Sequence, residues 1–193
     1  EKGDVRDIDV LTKLSDGEKF DAIVTSPPYA TALPYIDTDR LSILVLFGLK
    51  SKQRQEIEDT LIGSREISPE DKDLIDKKIE EKSLEEIHSK SARDTIGLIY
   101  SLNINADVGF RRKNLASLLY RYYLDMTKAM LNMDKVVKKN GSIFFVIGNN
   151  KTLAGGEEVY IESDTFLKET AEAIGWKLKK EIPITVTQEN RKG

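Results

Sequence analysis

The sequence predicts an α/β domain, a doubly wound and mostly parallel sheet with a charged helical insertion, and three observations carry that expectation. A short apolar run from Phe20 to Thr25 stops abruptly at Ser26-Pro27-Pro28, as a buried strand does at its carboxyl end. A second run, Ser142 to Gly148, is continuously apolar and rich in phenylalanine and isoleucine, the pattern of a central strand covered on both faces. Helical patterns lie between and after the two, and consecutive parallel strands need crossovers of that kind.

Taken in order, Val5, Ile8, Val10, Leu11 and Leu14 predict a short helix or turn before Asp16-Gly17, followed by the Phe20–Thr25 strand. Apolar density rises again from Leu41 to Leu49. From Lys50 to Asp94 the chain is dominated by Lys, Glu, Asp, Arg and Gln, a helical composition with sparse apolar residues. Helices on the surface or in a separate small lobe are expected there, disorder being the alternative. Ser68-Pro69-Glu70 has the form of a helix start, serine as cap and proline in the first turn. Residues 1–49 and 95–193 are therefore expected to form the core, and 50–94 an insertion that serves as a target-recognition or lid element. Leu115, Leu118, Leu119, Tyr122, Met126, Met130 and Met133 recur at helical spacing, so a long amphipathic helix from Asn114 to Val137 is predicted, ended by Lys138-Lys139-Asn140-Gly141. Thr165 to Ile174 reads as another helix, stopped by Gly175. The alternation of Trp176, Leu178, Ile182, Ile184 and Val186 predicts a last strand with a break near Pro183. In such sheets ligands sit beyond the carboxyl ends of the strands, which places Ser26–Tyr29 and Gly148–Asn150 on one rim.

Composition narrows the chemistry. A chain of 193 residues, 39% hydrophobic, is long enough to bury a core without covalent staples. It has no cysteine and one histidine, His88, in the charged insertion. A thiolate nucleophile, a zinc ribbon and a disulfide framework are excluded, and no metal site is expected. No apolar run approaches the roughly 20 residues of a membrane helix, and no signal-peptide pattern opens the chain, so a reducing, cytoplasmic address is expected. The net charge of −3 argues against coating nucleic acid by bulk electrostatics but leaves room for a local basic cleft. Arg111-Arg112-Lys113 is the densest basic cluster. Phosphate contact and a solvated helix face are its two readings.

Ser26-Pro27-Pro28-Tyr29 directly after a strand resembles the catalytic motif of the S-adenosylmethionine-dependent amino-methyltransferases, in the Ser-Pro-Pro-Tyr class of DNA modification methylases. The resemblance implies a Rossmann-like methyltransferase fold, S-adenosylmethionine as methyl donor, DNA as partner, and a target base flipped out of the duplex. It implies that Ser26, Pro27, Pro28 and Tyr29 are catalytic. An exocyclic amine is a poor nucleophile because its lone pair is delocalised into the ring, and acceptors that draw its hydrogens out of plane make it competent. The Ser26 hydroxyl and the Pro27 carbonyl are the candidate acceptors, with Tyr29 as platform for the base. Gly3-Asp4-Val5-Arg6-Asp7 is similar to the family's acidic motif, which implies donor contacts at Asp4, at Asp7, and at Thr25 beside the catalytic turn. Helix capping is the alternative for the two aspartates. Residues Ala30 to Leu49 are similar to the family's continuation, in which an arginine precedes an apolar helix.

One part of the family pattern is missing: no Gly-x-Gly occurs among the 193 residues. The glycine-rich turn is expected upstream, with a partner, or lost. Three functions stay open on these grounds: methylation of cytosine N4, favoured by serine at the first motif position, or of adenine N6; the same chemistry on RNA or a protein amide; and a non-catalytic nucleic-acid-binding module. Oligomeric state is open as well.

Overall fold

The structure, a computed structural model, describes residues 3–15, 17–30, 45, 48 and 51–184. The Leu41–Leu49 run, apart from Val45 and Gly48, lies outside them, as do most of the family-like continuation and Val186.

Asp7 opens the first helix, α1 (Ile8–Leu14), its side chain accepting from the Asp9 backbone N–H. Strand β1 (Phe20–Thr25) follows, with the bounds the sequence predicts. The charged stretch is helical: α2 (Ser51–Thr60), α3 (Pro69–Glu80) and the start of α4 (Lys90–Ile104). Helix α3 begins as expected, with Ser68 as cap and Pro69 in the first turn, and its charges follow the helix dipole, Glu70 and Asp71 early and Lys77 and Lys78 late. Ser89 caps α4. Glu169 reinforces that end by accepting from Ser89 Oγ at 2.7 Å and from the Ser91 backbone N–H at 2.9 Å. The boundary expected at residue 94 falls inside α4, and Ile79, Leu84 and Ile87 are buried in the same core as the long helix.

That long helix is α6 (Leu115–Val136), reached through the short α5 (Phe110–Lys113). Leu119, Tyr122, Tyr123, Met126 and Met130 line its buried face, against Ile96 and Ile99 of α4. It ends at Val136 because Val137 is already extended and pairs with Phe20. Lys138–Gly141, expected to end the long helix, thus lies inside β2 (Val137–Phe145), at an irregularity where the register moves from Phe20↔Val137 to Ala22↔Ser142. Gly141 is needed there, since a Cβ would stand 2.9 Å from the Asp21 carbonyl oxygen.

Strands β1 and β2 run parallel, with Val24 beside Phe144 and Thr25 beside Phe145, joined by the helical crossover. The expectation that both strands are buried is corrected. Val24 is 75% and Phe144 55% exposed. Among the described residues each strand pairs only with the other, and the helices pack mainly on one another, so the pair keeps an open apolar face. A mixed α/β fold with a parallel pair is what the described residues establish.

Two further differences follow β2. Strands β3 (Asn150–Ala154) and β4 (Glu157–Ile161) form an antiparallel hairpin over Gly155-Gly156, both glycines with positive φ. Such a two-residue glycine loop is a strong hairpin signal. After α7 (Ser163–Ala173), the strand expected from Trp176 is absent through Ile184. Leu178, Ile182 and Ile184 are exposed, no described strand lies alongside to pair with them, and Pro183 lacks an N–H to donate.

Candidate active site

The carboxyl end of β1 is where the chain carries its most constrained turn. The Val146 N–H donates to the Thr25 carbonyl at 2.9 Å, so β2 stays alongside β1 one residue past its last pair. Ser26 then turns out to the surface, its hydroxyl donating to the Val146 carbonyl at 3.1 Å. A hydroxyl has one proton and two lone pairs. With that proton directed at Val146, Ser26 Oγ faces outward as an acceptor.

Pro27 is buried, Pro28 and Tyr29 half-buried, and Ala30 fully enclosed. Among the described residues no group donates to the Pro27 carbonyl, whereas the Pro28 carbonyl accepts from Tyr122 Oη at 2.8 Å. Tyr29 lies against Gly148, where a Cβ would come within 3.2 Å of the ring. Asn150 Nδ2 donates to the Ala30 carbonyl at 3.3 Å. Ser26–Tyr29 and Gly148–Asn150 therefore share one rim, as the order of elements predicts.

The acidic candidates occupy a neighbouring network. Asp4 accepts from Arg6 through the backbone N–H at 2.8 Å and through Nη2 at 2.6 Å. Arg6 continues to Asp125 on α6 at 2.9 Å and donates to the Thr60 carbonyl at the end of α2. Asn132 Nδ2 holds the Arg6 carbonyl at 2.8 Å. The Arg6 guanidinium, hydrogen-bonded to the Asp4 side chain, holds that carboxyl below the usual carboxylate range. Asp125 and Tyr122 are three residues apart and share a face of α6, so this network sits on the same side of the helix as the Pro28 bond. Asp7 caps α1, and Thr25 pairs with Phe145 directly before the turn.

Arg111, Arg112 and Lys113 project from α5, all three exposed. Lys113 borders a shallow cleft with Lys72, Asp76, Tyr100 and Asn103. No hydrogen bond or ion pair among the described residues joins this cluster to the Ser26–Tyr29 turn. His88 is exposed. No described helix is long and apolar enough to cross a membrane, and no group of three or more His, Asp or Glu among the described residues is placed to hold a metal ion.

Sequence reasoning missed two residues. The sequence gives Tyr122 no role beyond its place on the amphipathic helix, and that spacing gives no sign of the bond to Pro28. Arg6 carried a signal, since Asp125 stands among the buried residues of the amphipathic helix and a buried carboxylate requires a cation.

No family model and no solved structure matches the chain. Two curated relatives do, the Type II methyltransferase M.AvaI of Nostoc sp. and the Type II methyltransferase M.AvaI of Anabaena variabilis. Each is 27% identical over an alignment of 180 positions that covers 89% of this chain and 34% of the relative. The chain thus spans about a third of the length of the curated relatives it matches, and over most of its own length it is similar to one stretch of a Type II methyltransferase.

Proposed function

We propose that this chain is the catalytic part of a DNA methyltransferase that uses S-adenosylmethionine to modify an exocyclic base amine, cytosine N4 ahead of adenine N6. The observation that supports this most is the Ser26 hydroxyl, whose proton is committed to the Val146 carbonyl. A flipped base presents its amine with two N–H donors, and an acceptor-only serine together with the Pro27 carbonyl, to which no described residue donates, receives them. Drawing both hydrogens out of the ring plane localises the nitrogen lone pair, and preorganised acceptors do so without reorientation during the reaction. Tyr29, braced on Gly148, stacks on the base. Similarity to a Type II methyltransferase supports the same class of reaction.

The methyl donor needs more than these residues supply. Asp4 is engaged by Arg6 and Asp7 by its helix, and no Gly-x-Gly lies in the chain, so a complete seat for S-adenosylmethionine requires a glycine-rich turn from outside it. The same observations favour a second reading, a nucleic-acid-binding subunit without catalysis. Mapping methylated bases in DNA exposed to the complete protein decides between them: new N4-methylcytosine or N6-methyladenine at a fixed sequence supports the first reading, and unmodified DNA sinks it.

Two expected results follow from the rim and from the basic cluster. Gly148→Val places branches where the Tyr29 ring lies, so kcat/KM for DNA should fall about tenfold while the melting temperature stays within a few degrees. Steady-state methylation beside thermal unfolding measures both. Replacing Arg111, Arg112 and Lys113 by glutamine should weaken DNA binding uniformly across sequences and flatten the log–log salt dependence by about one unit per lost phosphate contact. Titrations at several salt concentrations read it, and an unchanged slope leaves the cluster as a solvated face.

A further inference from the structure

The two prolines of the catalytic turn are rigid in φ, and ψ, which Pro28 restricts at Pro27 and which no following proline restricts at Pro28, decides where each carbonyl points. Their carbonyls have unlike surroundings. That of Pro27 receives no donor from the described residues, while that of Pro28 is taken by Tyr122 Oη at 2.8 Å. The Tyr122 ring is only 2% exposed and packs edge-on against Tyr123 with centroids 5.4 Å apart. Gly63, at φ +81°, neighbours both groups: a Cβ there would stand in ordinary contact, 3.5 Å from Pro28 Cβ and 3.8 Å from Tyr122 Cδ2.

We propose that Tyr122 is a positioning residue for the catalytic turn: its hydroxyl fixes the peptide unit joining Pro28 to Tyr29, and so aims both the Tyr29 ring and the Pro27 carbonyl. The geometry supports this in three steps. The Pro28 carbonyl belongs to the same rigid plane as the Tyr29 nitrogen, so holding the oxygen sets the direction in which Tyr29 leaves the turn. The Ser26–Val146 bond fixes the opposite end, and Gly148 stops the ring. The turn is thereby pinned from the segment after β2, at Val146 and Gly148, and from α6 at Tyr122. A donor on Pro28 also withdraws that oxygen from competition, leaving the Pro27 carbonyl and Ser26 to meet the two amine hydrogens.

This inference rests on the methyltransferase reading, and its test separates the two. In the complete protein, Tyr122→Phe removes the hydroxyl and keeps the ring, and Tyr123→Phe removes a neighbouring hydroxyl that makes no bond to the turn. Transfer of labelled methyl groups from S-adenosylmethionine to duplex DNA is measured for both, with thermal unfolding. Tyr122→Phe should lower kcat about tenfold with KM for DNA changed less than about twofold, because the base still binds but meets misaligned acceptors. Tyr123→Phe should turn over at the wild-type rate. Equal losses in both variants, or wild-type turnover in Tyr122→Phe, overturn the proposal. A wild-type protein that methylates no DNA overturns the underlying reading and takes this proposal with it.

Discussion

Ser26→Ala is expected to lower kcat for DNA methylation by the complete protein about a hundredfold, the scale on which loss of one preorganised hydrogen-bonding partner reduces turnover. The substitution removes one atom from a side chain that faces solvent, and the Val146 carbonyl it releases can be hydrated, so stability should change by less than about 0.5 kcal/mol. The interaction is made chiefly as the amine leaves the ring plane, so kcat and kcat/KM should fall together. Tyr29→Ala should behave differently. It removes a stacking platform worth about 1–3 kcal/mol per base, which enters KM as well as kcat. Single-turnover kinetics beside DNA-binding titrations separate the two patterns. Full activity in both variants would remove the assignment of the Ser26–Tyr29 turn as the reaction centre.

Local pattern carried the reading of this turn because the turn is a local object. A strand that ends in Ser-Pro-Pro stops where the prolines stop it, and β1 has the bounds read from its six residues. The helix start at Ser68 and the long amphipathic helix were legible for the same reason, since capping and periodicity are properties of adjacent residues. Burial was not. Ser142–Phe145 has the composition of a covered strand, but cover depends on what lies across the sheet, and among the described residues nothing shields Val24 or Phe144. The alternation beyond Trp176 misled in a related way. A two-residue period permits a strand without making one, because the ladder needs a neighbouring backbone, and none of the described strands offers it. The bond from Tyr122 to Pro28 spans 94 residues and the pair of Arg6 with Asp125 spans 119, and neither is a pattern that a window of sequence contains.

That second pair should dominate the response of the fold to a single substitution. Arg6 is a hub between three segments, with Asp4 in its own strand of chain, the Thr60 carbonyl at the end of α2, and Asp125 on α6. The Asp125 side chain is 12% exposed and that of Arg6 20%, so the pair is largely but not wholly removed from water. Arg6→Ala leaves the Asp125 carboxylate desolvated without its cation, and after allowance for residual solvent the loss should be about 2–3 kcal/mol in chemical denaturation. Replacing both partners, Arg6→Met with Asp125→Leu, removes charge and unmet demand together and should recover most of that loss, giving a coupling energy of about 1–3 kcal/mol. The pH dependence has a definite sign. Hydrogen bonding from Arg6 lowers the Asp4 pKa from its ordinary 3.8, so the contribution of this pairing is complete above that value and disappears as the pH falls through the lowered one. The stability gap between the wild type and Arg6→Ala should accordingly be widest near neutrality and narrow below about pH 4. A gap independent of pH in that range would place the cost of Arg6→Ala in lost packing rather than in charge.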